Sequence, residues 1–438
     1  MKDRSGWVDA VRELRGTLET IDRTERDGIA QAMFAIWRTL ARAPTPFQKL
    51  YERIPEDELL EHAHQLTRAL KDPGFGFTPS FQDRRSLIRS VGAQLRALEE
   101  LNAVVGLGEI ASDPAKEWTV KFGDEKAYLV PLERPLWRLA PDPALDLRPF
   151  NQRGLQKHRV IPAKVDGADV VLKRLAWLGT KAPLLRFGAA LFPRLRFTCE
   201  EDQMSFLVTG IRCTKLHEVI ENAVRETHQS GCMATLFPEL TIDDDARALI
   251  ERLLQEKPWI DEESEDNPGA EARPRTPALV VAGSWHRPTP DGHANIATVL
   301  DGDGNLLLEQ AKRLPFVDEK NREERIVSGE ELAVLVLDGC LIAFGICLDF
   351  CNRRQKSVYD DLDVDLVLVP SCGNDSTMKG HISNAETLLI RRKTRTMVVQ
   401  QAYPKRRGGI GYVLPPTTKI APRPSTLVEK RRWSIVST

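Results

Sequence analysis

From about residue 200 onward the chain alternates short, apolar, β-prone runs with amphipathic helical stretches, and that alternation is the strongest constraint on its fold. Ala278–Trp285 and Asp365–Pro370 are continuous apolar runs bounded by turn residues, so they read as interior strands. Phe206–Arg212, Ala234–Phe237 and Thr396–Ala402 add further strands. Leu216–His228, Asp243–Gln255, Gln355–Leu362 and Ser383–Lys393 carry helical spacing, and the acidic first turn of Asp243–Gln255 suits a helix dipole. Ala294–Leu300 and Leu306–Ala311 pair around Asp301-Gly302-Asp303-Gly304-Asn305, and Glu331–Leu337 pairs with Leu341–Cys347 around Asp338-Gly339. Strands alternating with helices, with hairpins inserted, predict an α/β layered domain around a mixed sheet.

The first 200 residues read differently. Val8–Leu18, Ile29–Ala41, Glu56–Leu70 and Ser86–Leu101 each place apolar residues three and four apart, which predicts a helical N-terminal domain over 1–110. Pro44-Thr45-Pro46 and Asp72-Pro73-Gly74 break the helices, and Asp83 or Ser86 supplies an N-cap for the fourth. Over 111–200 the pattern is mixed. Trp118–Leu132 alternates around Gly123-Asp124 as a hairpin does, Val160–Leu175 repeats the device around Asp166-Gly167, and a proline-rich piece runs from Pro131 to Pro149. That stretch is read as a connecting region of unassigned fold. The α/β domain then occupies 201–438, a division that a length of 438 residues allows.

Lys and Arg number 62 against 63 Asp and Glu, so net charge gives no general attraction to nucleic acid or acidic membrane. The local clusters Lys405-Arg406-Arg407 and Lys430-Arg431-Arg432 read as solvated surface. MKDRSGWVDAVREL lacks an apolar signal core, and no stretch approaches the length of a membrane span, so a cytoplasmic protein is expected. Seven cysteines without a framework spacing fit a reducing compartment.

Three chemically distinctive side chains stand where a strand has just ended. Glu239 follows Ala234–Pro238, Lys312 follows Leu306–Ala311, and Cys347 follows Leu341–Ile346. Strand ends are where α/β proteins keep ligand sites. Taken alone, Cys347 reads as a small core residue. Beside a carboxylate and an ammonium it becomes a nucleophile: the acid takes the thiol proton and the amine favours the anion. The amine and the backbone N–H of Leu348 would then stabilise an oxyanion, and Glu239 would protonate the leaving amine and activate water. One fast-alkylating thiol at neutral pH is the matching expectation.

FPEL at 237–240, KRLPF at 312–316 and GICLDF at 345–350 resemble, in order, the motif blocks of the nitrilase, or carbon–nitrogen hydrolase, superfamily. DLVLVPSCGN at 365–374 resembles the stretch after the nucleophile, and the likeness spans roughly 203–415. The resemblance implies a four-layer α-β-β-α sandwich without metal or cofactor, assembled as a homo-oligomer through a face-to-face dimer. It implies Glu239 as base, Lys312 as oxyanion partner and Cys347 as nucleophile. It also implies a second acid after the lysine, for which Asp318, Glu319, Glu323 and Glu324 all qualify; Glu319, Leu348 and Asn374 are carried forward as substrate or oxyanion residues. The chain departs from the family at FCNRRQK (350–356), at LLIRRKTRT (388–396) and at GGIGYVLPP (408–416).

The expected activity is thiol hydrolysis of a non-peptide C–N bond in an amide, carbamoyl or glutamine-type small molecule. The alternative is a nitrilase-like scaffold or effector module of a multi-protein system. Such domains occur in bacterial anti-phage defence beside reverse transcriptases, and residues 1–200 would then dock a protein or nucleoprotein partner. Cys347, Cys351, Cys372 and His381 lack the paired close cysteines of a zinc site. His62 and His64, two apart on a helix, do not face each other. Tyr359-Asp360-Asp361 lacks partner acids, and Asp349 is read as orienting the nucleophile's backbone. Trp285, Asn374 and Arg353 are candidates for the pocket wall.

Overall fold

The computed structural model describes residues 4–22, 25–70, 76–105, 114–133, 154–175, 186–259, 279–337, 339–352, 357–403, 410–416 and 433–437. The chain divides into two compact units, Met1–Lys164 with Asp361–Asp363, and Val165–Asp360 with Val364–Thr438. Arg353 and the basic clusters at 405–407 and 430–432 lie outside the described residues.

In the first unit, helices α1 (Arg4–Glu19), α2 (Arg26–Ala41), α3 (Thr45–Glu52), α4 (Glu56–Leu70) and α5 (Arg84–Val105) bury one apolar face each. Asp83 starts α5, accepting the Ser86 backbone N–H at 2.9 Å and its hydroxyl at 2.8 Å. Pro44 and Pro46, read as a break, also open α3, since proline in a first turn gives up no hydrogen bond. After the short α6 (Pro114–Glu117), β1 (Thr119–Phe122), β2 (Glu125–Val130) and β3 (Arg159–Pro162) form a three-stranded sheet whose first turn falls at Gly123.

The second unit takes up β4 (Lys164–Val165), β5 (Ala168–Arg174), β6 (Arg186–Ala190), β7 (Arg196–Glu201), β8 (Ser205–Arg212), α7 (Leu216–Gln229), β9 (Ala234–Leu236) and α8 (Asp244–Glu256). It continues through β10 (Leu279–Thr289), β11 (Gly292–Asp301), β12 (Leu306–Ala311), β13 (Glu323–Glu324), β14 (Glu331–Leu337) and β15 (Cys340–Phe344). It closes with α9 (Leu348–Cys351), α10 (Tyr359–Leu362), β16 (Leu366–Gly373), α11 (Asp375–Arg392), β17 (Arg395–Ala402), β18 (Gly411–Leu414) and β19 (Trp433–Ser437). One sheet has six strands in the order β12-β11-β10-β9-β6-β19, another seven in the order β18-β17-β16-β15-β14-β5-β4, and β13-β8-β7 form a third. Both large sheets mix parallel and antiparallel pairs. Helices α7 and α8 pack on the six-stranded sheet, α11 packs on the seven-stranded one, and β9 and β10 face β16 between them.

The division falls at 164/165 rather than near 200. β5 pairs in parallel with β14, and β6 with β9, so strands from the unassigned stretch are interior members of the large sheets. α11 starts at Asp375, eight residues before the helical pattern begins. The Asn374 side chain accepts from Ser376 and Thr377 N–H, capping a polar first turn that reads as loop. No helix among the described residues is long and apolar enough to cross a membrane.

Candidate active site

Cys347 is placed by the strand beside it. Gly345 N–H donates to Leu368 at 3.2 Å and Cys347 N–H to Pro370 at 3.0 Å, so pairing with β16 continues past the end of β15. At Cys347 the backbone then turns to φ 44°, ψ −103°, a conformation rarely adopted by a residue with a side chain, and α9 begins. Asp349 secures this turn. Its carboxylate accepts the N–H of Leu314 (2.9 Å), Arg313 (3.1 Å) and Ile346 (3.4 Å), joining the cysteine's loop to the residues after Lys312. Burial pushes the Asp349 carboxyl up to about 7, against the pull of Lys312 and those donors.

Lys312 continues β12 by donating its N–H to Asn295 O at 2.8 Å. Glu239 follows β9 on a turn in which Leu240 takes φ 58°. That turn lies against a bulge in β10, where Gly283 sits at φ 55° and a Cβ would meet Pro238 O at 2.3 Å. Glycine is required there by backbone conformation and by space.

The three residues converge. Lys312 Nζ lies 2.8 Å from Glu239 Oε1 and 2.5 Å from Glu324 Oε2. Asn295 Nδ2 donates to both carboxylates, at 3.1 Å and 2.9 Å, and His286 Nε2 reaches Glu324 Oε1 at 2.9 Å. Val208 N–H donates to His286 Nδ1 at 2.9 Å, which leaves Nε2–H to point at Glu324. The backbone of Cys372 bridges base and thiol: its N–H holds Glu239 Oε2 at 3.0 Å, and its carbonyl accepts from Cys347 Sγ at 3.4 Å. Glu239, Lys312, Glu324 and Cys347 are each at most 3 % exposed.

Burial opposes the charge of Lys312, but Glu239 and then Glu324 outweigh it and hold the ammonium well above the ordinary lysine value. Burial likewise opposes ionisation of Glu324, yet Lys312 and the His286 bond hold its carboxyl below the usual range. The hydrogen bond shared with Cys351, then burial and the Glu239 charge, push the Cys347 thiol well above its usual value; Lys312 alone pulls it down. The same bond lowers Cys351. Two carboxylates around one ammonium leave the cluster formally one negative charge, so a free thiolate would add a second. This works against fast neutral-pH alkylation and favours passing the thiol proton to Glu239, which leaves the cluster's charge unchanged.

The site opens to a cavity of about 270 Å³ walled by Phe197, Phe206, Val208, Leu240, Phe316 and Tyr403. Of the four acids after Lys312, Glu324 meets the ammonium, carried inward where β13 pairs with β8. Glu319 and Asp318 line the cavity mouth, Glu319 exposed, and Asp318 is engaged by Arg322 at 2.7 Å. Asn374 also lines the cavity, with its side chain spent on capping α11. Leu348 is the first residue of α9, half-buried. Trp285 packs with Val208 and Leu240 and does not line the cavity. His381 bonds Ser371 at 2.9 Å, and among the described residues no group of three potential ligands could hold a metal ion. Sequence reasoning missed Asn295 and His286. Their one signal is a lone polar residue inside a strand pattern, at Asn295 in HANIATV and His286 after Trp285.

No family model matches the chain, and no curated protein matches it. Among solved structures, it is similar to a mutant amidase from Nesterenkonia sp. AN1 showing covalent addition of the acetamide moiety of fluoroacetamide at the active-site cysteine, at 16% identity over 60% of this chain and 93% of that chain, with TM-score 0.40. A mutant of the same amidase in complex with butyramide gives 16% identity, the same coverages and TM-score 0.40. A mutant described as an amidase from the nitrilase superfamily gives 18% identity, 60% and 93% coverage, and TM-score 0.37.

Proposed function

We propose that this chain is a thiol amidase that cleaves a non-peptide C–N bond of an amide, carbamoyl or glutamine-type small molecule. The observation that carries the reading is the convergence of Glu239, Lys312 and Cys347, far apart in sequence, around the Cys372 backbone at the floor of one cavity. Cys347 Sγ attacks the carbonyl carbon while Glu239 takes its proton, and the negative charge passes from sulfur to the carbonyl oxygen. Lys312 is the charged donor available to that oxyanion, assisted by the Leu348 N–H. Collapse expels the amine with the proton held by Glu239 and leaves a thioester. Glu239 then takes a proton from water for hydrolysis, the reversal that microscopic reversibility requires. Glu324 keeps Lys312 charged and fixed, and the apolar wall suits a substrate with an apolar acyl group.

The same reading takes the two large sheets as the inner layers of an α-β-β-α sandwich, expects self-association through this unit, and assigns residues 1–200 to docking a protein or nucleoprotein. Incubation with a panel of primary amides, acid quenching and intact-mass measurement tests the chemistry. The expected result is an acyl adduct on Cys347 with release of ammonia, absent in Cys347→Ala. Turnover in Glu239→Gln should fall by about 100- to 10,000-fold. No adduct and no ammonia with any amide would refute it.

A further inference from the structure

The first unit holds a second cavity, of about 340 Å³, for which the amidase reading has no use. Its wall contains a hydrogen-bond chain that ends unmet. Glu99 accepts the backbone N–H of Gln156 at 2.9 Å and of Lys157 at 2.7 Å, and faces His158 Nδ1 at 3.2 Å. A carboxylate held by two donors makes His158 Nδ1 the donor of a neutral ring, and leaves Nε2 as its acceptor. Asn102 meets Nε2 with its amide nitrogen at 2.9 Å. The amide's orientation is thereby fixed, and Asn102 Oδ1 is left buried without a partner on a residue 5 % exposed that lines the cavity.

Glu117, also on the wall, repeats the situation. Its Oε1 takes Arg26 at 3.4 Å, while its Oε2 is buried and unpartnered. Buried acceptors are nearly always satisfied in folded proteins, because leaving one unmet costs stability. Two on one cavity wall are accounted for by a ligand bringing N–H donors. The remaining charges on that wall say which donors. Arg26, Lys116 and Lys121 outnumber Asp27 and Glu117, so a simple guanidinium or ammonium is disfavoured, whereas an amino group carried with an anion is matched at both ends. We propose that this cavity binds a nucleotide whose base carries an exocyclic amino group. The amino edge sits on Asn102 Oδ1 and Glu117 Oε2, and the phosphate on the Arg26, Lys116 and Lys121 side.

Calorimetric titration of the full chain with AMP, UMP and L-arginine tests this. AMP should bind, UMP, which lacks the amino group, at least tenfold more weakly, and arginine not measurably. Asn102→Leu should weaken AMP at least tenfold. Glu117→Gln, at a half-buried position that does not threaten folding, should do the same by replacing an acceptor with a donor. Binding of UMP or arginine as tight as AMP would overturn the proposal. So would no AMP binding, or unchanged AMP binding in Glu117→Gln.

Discussion

Lys312 Nζ lies 2.5 Å from Glu324 Oε2, and this contact sets the charge state of the whole site. With Glu239 already 2.8 Å from the same nitrogen, the ammonium is doubly countered and has little spare field for a thiolate. The nucleophile is therefore stored as a thiol and ionised only as its proton passes to Glu239. Storing it this way also protects a buried sulfur from oxidants, which react with the thiolate.

Glu324→Gln removes one negative charge while keeping an acceptor near Lys312. The pH midpoint for iodoacetamide alkylation of Cys347 should fall, and alkylation at pH 7 should quicken. Amide turnover should drop by about tenfold or more, because Lys312 loses the charged partner that holds it. Alkylation rates across pH, with peptide mapping to single out Cys347, provide the measurement. A midpoint that stays or rises would show that Glu324 does not govern the thiol.

Cys351 makes a separable contribution. The bond it shares with Cys347 is the largest influence raising that thiol, and α9 keeps the two within one turn through the Cys351 N–H to Cys347 O bond of 3.1 Å. Cys351→Ala should lower the Cys347 alkylation midpoint and leave amide turnover within about threefold, since no proton in the reaction passes through Cys351. A hundredfold loss of turnover would instead make Cys351 part of the chemistry.

The triad and most strands of the second unit were legible because each chemical residue directly follows an apolar run, and such runs are reliable where both faces of a sheet are buried. What could not be read depended on pairing between distant segments. Glu324 and Glu319 look alike in EKNREER, and only the parallel pairing of Glu324 with Phe206 turns one inward. Asn295 and His286 owe their role to that same buried carboxylate. The 164/165 division was hidden for a related reason: β5 and β6 are short, and their partners β14 and β9 are remote in the chain. The φ of Cys347 left no mark in the sequence either, because a glycine, which would have signalled it, cannot be the nucleophile.

Gly283 gives a prediction about positioning without touching the chemistry. An added methyl would need φ 55° on alanine, and would press on Pro238 O at 2.3 Å, one residue before the base. Gly283→Ala should destabilise the protein by about 1–3 kcal/mol from the backbone alone, and more if the turn resists. Because the turn carries Glu239, turnover should fall further than the folded fraction does. Chemical denaturation with turnover corrected for folded protein separates the two effects, and a loss of turnover equal to the loss of fold would remove the positioning role.

His381 supplies the pH prediction. It lies fully buried against Phe350 with Nε2 2.9 Å from Ser371 Oγ, and burial lowers it from 6.5 to about 3. Between those values the unfolded chain binds a proton that the folded chain refuses, so stability rises with pH there. The His381 contribution is complete above about pH 6.5 and is lost as pH falls toward 3. Asp349, raised to about 7, acts in the opposite sense over part of the range in any variant, so the useful quantity is a difference between proteins. His381→Asn keeps a polar partner for Ser371 but does not titrate. Its Tm should fall less than the wild type's between pH 7.5 and pH 5. Ser371 directly precedes Cys372, whose backbone holds Glu239, so the wild type should also lose amide turnover in step with that acid destabilisation. Equal Tm shifts in the two proteins would mean that His381 is not the group whose protonation loosens the floor of the site.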